Sequence, residues 1–349
     1  MGSLTFSLRL ALPAVLAAAP ALAQLPQLDA TLKQFEQEDT FYGSVLVTRG
    51  GATLFRTAYG FGDEAKTEKN SAATVYYAPW MNEPMLAALA EMAQDRGLLS
   101  LDAPIGTYLP AFKGRPAPRV RDLLSHASGF PVFRLNMLLD AQPGTLTLAD
   151  LASGLAERPL LEEPGKRFVW MFNNDELAGL VLETVTGKPF PDLLSEWLLK
   201  PLGMDRTGLG LPAPRLAWGL RQAAFQKDLA LWKGGYRCSE GMYSTLDDLE
   251  RFFSALASGR LLSPRASQDM RTPCVKDGGE DVCLGFNTTP SGQLHNGGDD
   301  ESGYRSIFWY DPRNDLRILV LCNRWMDAEG RNLRKILVPA AYASLGLKE

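Results

Sequence analysis

The sequence predicts an α/β fold: an antiparallel sheet built from both ends of the chain and flanked by helices, with a mainly helical lobe inserted between. Three observations predict it. Two β-rich runs, Gly43 to Arg49 and Ala52 to Tyr59, flank a Gly50-Gly51 pair suited to a tight hairpin. Late in the chain, Tyr304 to Tyr310 and Leu316 to Leu321 alternate around a Pro312-Arg313-Asn314-Asp315 turn. Between about residues 76 and 235, helical segments are broken by Pro and Gly. Strands at both termini around a helical middle imply one shared sheet.

The elements follow in order. Residues 28–38 form an amphipathic helix ahead of the hairpin. Apolar residues recur at helical spacing from Met85 to Arg96, where Gly97 ends the helix. Leu151 to Leu155, Asp175 to Val185 and Phe190 to Leu199 are the clearest helices of the middle. Ser244-Thr245 opens a helix over Asp247 to Ala257, and a last helix covers Asn332 to Leu345. With no repeat or low-complexity linker, residues 24–349 read as one composite domain. Its sheet lobe spans about 28–75 and 236–349, its helical lobe about 76–235, and a cleft is expected between them.

The chain has 349 residues, 46% of them hydrophobic, enough to bury a large core without disulfides or metals. A net charge of -4 supplies no basic excess for phosphates and argues against nucleic acid as a partner. Residues 1–23 read as a signal peptide: Arg9, an apolar run from Leu10 to Pro20, then Ala21-Leu22-Ala23 before Gln24. That run is short for a membrane span and no later segment is longer, so export to the periplasm or exterior is expected, with no transmembrane segment. Cys274 and Cys283 flank a polar stretch and are placed to close a short loop. Cys238 and Cys322 fall at buried strand ends as free thiols. Two histidines and no paired-Cys spacing argue against a metal, and nothing points to a cofactor.

Several segments together resemble the serine β-lactamase and penicillin-binding-protein superfamily, especially its class C and esterase-like branch. They are Phe41 to Val47, Leu99-Ser100-Leu101-Asp102-Ala103-Pro104 with Tyr108-Leu109-Pro110, and the run from Arg121 through Leu124-Ser125-His126-Ala127-Ser128-Gly129 to Pro131. Pro164-Gly165-Lys166-Arg167-Phe168, Thr186-Gly187-Lys188-Pro189, Pro201-Leu202-Gly203-Met204, Ser244 to Leu249, Asp311-Pro312 and Cys322-Asn323-Arg324 continue the series. The resemblance spans about residues 28 to 345 in order and implies a β-lactamase-like sheet lobe and helical lobe with the site between them.

That resemblance also implies three catalytic elements: Ser-x-x-Lys at a helix start, Tyr-x-Asn on a loop, and Lys or His, any residue, then Gly on a strand edge. Counting back from Leu99 places Trp80 at the serine and Glu83 at the lysine. Counting forward from Pro164-Gly165 places Trp170 at the tyrosine and Phe172 at the asparagine. Only His295-Asn296-Gly297 survives, with Leu294 replacing the usual glycine before it. Trp80 has no nucleophilic atom, so no catalytic residue of the family mechanism remains.

Loss confined to the chemical positions, with turn glycines and prolines intact, marks a scaffold kept for another purpose. Two readings of the aromatics stay open: they plug a disused cleft, or Trp80, Glu83, Trp170, Phe172, His295 and Gly297 line a remade pocket. Aromatic faces beside a carboxylate suit a small-molecule or peptide-like ligand that is cationic or amphiphilic. The leading expectation is a non-catalytic binding or regulatory protein. Alternatives are rewired acid/base chemistry on Glu83 and His295, with Glu240 as a further candidate, or a serine hydrolase whose nucleophile lies elsewhere, such as Ser239 or Ser302. His126 reads as a packing or hydrogen-bonding residue.

Overall fold

A computed structural model describes residues 25–133, 142–210, 216–219, 222–298, 303–326 and 332–349, and the side chains of all of these except 222–225. The expected signal peptide and the candidate Ser302 lie outside the described residues.

An eight-stranded antiparallel sheet organises the molecule. Its strands are β1 (Phe41–Arg49), β2 (Ala52–Tyr59), β3 (Val275–Asp277), β4 (Glu280–Val282), β5 (Asn287–Thr288), β6 (Leu294–Asn296), β7 (Arg305–Asp311) and β8 (Leu316–Trp325). They lie in the order β2-β1-β8-β7-β6-β5-β4-β3. The sheet is thus closed by both termini: Val45 stands opposite Val320 on one side and Thr57 on the other. Gly50 and Gly51 both take positive φ, 56° and 77°, as a tight hairpin turn with the twist of its strands requires.

Side chains alternate across this sheet and sort into two cores. On one face Val45, Val47, Ile307, Trp309, Ile318 and Val320 pack under helices α1 (Pro26–Gln37) and α7 (Leu333–Ser344). On the other, Leu46, Phe308, Leu319 and Leu321 meet the helical region. Helix α2 (Asn82–Asp95) runs through that region with eleven of its residues buried, and α3 (Val120–Leu124), α4 (Leu148–Ala156), α5 (Phe172–Thr186) and α6 (Leu246–Ala257) surround it. The rings of Phe253 on α6 and Phe308 on β7 stack at 3.7 Å, fixing the helices to the sheet. Among the described residues no helix is long and apolar enough to cross a membrane.

Two expectations need correction. Helix α2 begins at Asn82 rather than Met85; Pro84 falls in the first turn, where backbone N–H groups lack helical partners and a missing one costs nothing. Cys274 and Cys283 form no disulfide: all four cysteines are free thiols. The Cys283 thiol points to the Arg271 carbonyl at 3.3 Å, and burial pushes its pKa up to about 11.

Candidate functional site

The earlier start of α2 decides what its first turn can do. Trp80, two residues before the helix, has φ of 61°, a left-handed conformation unusual for a bulky side chain. Its indole lies directly on Gly298: a Cβ built on that glycine would fall 1.0 Å from the ring. Glu83 lies in the first helical turn, half-buried, facing the same space.

A cavity of about 220 Å³ opens here, lined by Trp80, Glu83, His126, Phe168, Trp170, His295, Asn296 and Gly297 among others. Trp170 meets Trp80 edge to face with ring centres 5.0 Å apart. Its indole N–H donates to Glu83 Oε1 at 2.9 Å. The other carboxylate oxygen accepts from the Asn296 amide at 3.0 Å, and that amide also reaches the Gly285 carbonyl at 2.7 Å. Trp80, Trp170 and Phe168 each remain partly exposed, so the aromatics wall the cavity without filling it.

Five of the six residues expected to line a pocket therefore share one cavity. Phe172 is outside the lining; it packs edge to face on Trp170 at 4.6 Å. Glu240 is also outside it, held by the Arg237 guanidinium at 2.8 Å. Ser239 is buried with its hydroxyl bonded to Glu176.

The expected pairing of Glu83 with His295 is not the one the fold makes. His295 Nε2 meets Glu280 at 2.9 Å, and its ring stacks on Trp309. That hydrogen bond holds the Glu280 carboxyl below its usual range. The strand carrying His295 is no edge, because β5 pairs with it on the outer side. Glu83 instead faces His126, whose Nε2 stands 3.4 Å from Glu83 Oε1 and 3.8 Å from Asp175 Oδ1.

Both new members are buried. Burial drives the Asp175 pKa well above the ordinary carboxyl value; His126 pulls it down and the Glu83 charge pushes it further up. Burial lowers the His126 pKa, but the charges of Asp175 and Glu83 outweigh this and leave it raised. Sequence reading missed both residues. His126 sits inside a run that reads as a structural loop, and Asp175 belongs to Asn173-Asn174-Asp175-Glu176, a polar run that resembles a solvated helix start. The structure buries all four. Four consecutive polar residues on a helix flanked by apolar sequence were the available signal.

Fold and site define a class of protein: a β-lactamase-like scaffold with a cleft walled by aromatics around one carboxylate. Comparison with known proteins agrees on the scaffold. The Beta-lactamase family model matches residues 28–342, and the chain belongs to that family, within the serine β-lactamase and penicillin-binding-protein superfamily. PbpX of Bacillus subtilis (strain 168) is 23% identical over 253 residues, covering 69% of this chain; the chain spans only 61% of PbpX. Esterase EstB of Burkholderia gladioli is 26% identical over 285 residues, 70% of this chain and 72% of EstB. The solved structure of EstCE1, a hydrolase with promiscuous acyltransferase activity, superposes with a TM-score of 0.77 at 22% identity, over 90% of this chain and 97% of its own.

Proposed function

We infer that this chain is an exported member of the Beta-lactamase family that has given up serine acylation and uses its cleft to bind a small ligand with a cationic head and an apolar body. The reading is carried by Trp80, whose indole lies in the cleft against Gly298 and which counting back from Leu99 assigns to the place of the family nucleophile. Among the described residues that line the cavity none carries a hydroxyl for Glu83 to activate; the polar groups there include carboxylate, imidazole, amide and the buried Cys283 thiol. A cavity of about 220 Å³ is smaller than the ~300–1,000 Å³ of drug-sized sites and fits a compact head group. Partly exposed indoles beside a carboxylate attract a quaternary or primary ammonium by cation–π contact and charge together. Export is supported by the leader-like run at residues 1–23.

Two measurements test this. Exposure to a fluorophosphonate and to a fluorescent penicillin leaves the intact mass unchanged; a stoichiometric serine adduct refutes the loss of acylation. Calorimetric titration with benzyltrimethylammonium and choline gives saturable binding that Trp80→Ser and Glu83→Gln each weaken at least tenfold. Absence of binding, or affinity unchanged in Trp80→Ser, overturns the ligand class.

A further inference from the structure

The deep end of the cavity has a geometry that the amine-binding reading does not use. Glu83, His126 and Asp175 each offer one ligand-type atom, and the three atoms lie within 4.8 Å of one another. His126 and Asp175 are 4% and 2% exposed, and neither His126 Nε2 nor Asp175 Oδ2 has a hydrogen-bond partner. Two carboxylates this close in a buried pocket favour a proton or a cation between them. A proton shared as a charge-assisted hydrogen bond would draw donor and acceptor to about 2.7–2.9 Å. The imidazole instead stands 3.4 Å and 3.8 Å from its two carboxylate neighbours. Ligand atoms about 2.0–2.1 Å from a tetrahedral metal are separated by about 3.3 Å, much nearer the observed spacing.

We propose that Glu83, His126 and Asp175 form a binding site for a divalent transition-metal ion of the zinc type, with an open coordination position facing the cavity. Three protein ligands, one nitrogen and two anionic oxygens, match the ion's charge and its preference for imidazole and carboxylate. Surrounding donors already orient the Glu83 carboxylate: Trp170 holds one oxygen and Asn296 the other.

Metal on Nε2 requires the imidazole proton on Nδ1. That nitrogen faces the Asn174 amide nitrogen at 3.2 Å and, more distantly, the Met171 N–H at 3.4 Å. Asn174 Oδ1 is buried with no partner. Turning the Asn174 amide over sets this oxygen against Nδ1–H, satisfies it, and leaves the Nε2 lone pair for the ion at the expense of the longer Met171 contact. The other histidine, His295, is committed to Glu280 and lies outside the cluster.

The inference shares Glu83 with the amine reading but does not rest on it, and each is measured without the other's ligand. Tag-free protein stripped with EDTA is titrated with Zn²⁺ by calorimetry and with Co²⁺ by visible spectroscopy. The expected result is one equivalent per chain, with cobalt d–d bands of a low-coordinate site. Glu83→Gln, His126→Gln and Asp175→Asn each weaken binding by at least about a hundredfold, more than loss of a supporting residue does. Glu280→Gln and Cys283→Ser leave it unchanged. Asp175→Asn keeps the side-chain shape, so a cooperative thermal melt of its metal-free form separates ligand loss from misfolding. Uptake of neither metal by the folded protein overturns the site, as does uptake that survives Asp175→Asn or is lost in Glu280→Gln. Amine binding is titrated separately in EDTA; because both ligands draw on Glu83, saturating Zn²⁺ weakens it at least tenfold.

Discussion

The Trp170 indole N–H donates to Glu83 Oε1 at 2.9 Å, joining the loop before α5 to the first turn of α2 across the cleft. These are the positions where the family resemblance implies a tyrosine and a lysine.

Removing that bond while keeping a ring isolates its contribution. Trp170→Phe is expected to lower unfolding free energy by about 1–2 kcal/mol, toward the low end for a hydrogen bond to a charged group because the site is partly exposed. Urea denaturation followed by far-UV circular dichroism measures it, and a change below about 0.3 kcal/mol contradicts the assignment.

Gly298 offers a steric test of the same cleft. A Cβ there collides with the Trp80 indole, so Gly298→Ala costs about 1–3 kcal/mol, as overpacking does. Combined with Trp80→Ala the penalty disappears, and the double-mutant cycle reports a coupling of similar size. Additive effects would place the indole elsewhere.

Far from the cleft, Glu91 on α2 has its pKa raised to about 7 by burial, with Arg265 opposing the shift and Asp269 adding to it. A carboxyl whose folded pKa exceeds its unfolded value of 4.5 favours the folded state most below that unfolded value. The contribution is lost as pH rises through about 7. Thermal melts between pH 5 and pH 8 should show wild-type stability falling relative to Glu91→Gln, at no more than about 1.4 kcal/mol per pH unit. A flat difference removes Glu91 as the cause.

The free thiols differ in accessibility. Cys283, Cys238 and Cys322 are buried, while Cys274 is partly exposed. With its pKa near 11, Cys283 is thiolate in only about one molecule in a thousand at pH 8. Iodoacetamide at that pH is therefore expected to label Cys274 first and Cys283 only after unfolding, as peptide mass mapping would record. Early labelling of Cys283 would show that the cavity rim opens.

The scaffold was legible in the sequence because its signals are local and periodic. The Gly50-Gly51 hairpin, the alternation in β7 and β8 and the Thr245 cap each occupy a few adjacent residues. The cleft positions Trp80, Glu83 and Trp170 were reachable by counting from neighbouring motifs. What counting did not reveal was partnership. Whether Glu83 meets His295 or His126 depends on the relative setting of α2, α3 and β6, which no single segment encodes. Asp175 was hidden for a related reason: its polar run reads as solvated, and only the packing of α5 against α2 and α3 turns it inward.

The join between β1 and β8 bears on how the molecule is made. Residues 41–49 find their partner strand only at 316–325, almost at the other end of the polypeptide. During synthesis the N-terminal hairpin waits until residues 316–325 have been made before its inner edge is covered. Until then the sheet is unfinished, and a ribosome stalled before β8 releases a product that cannot close on itself.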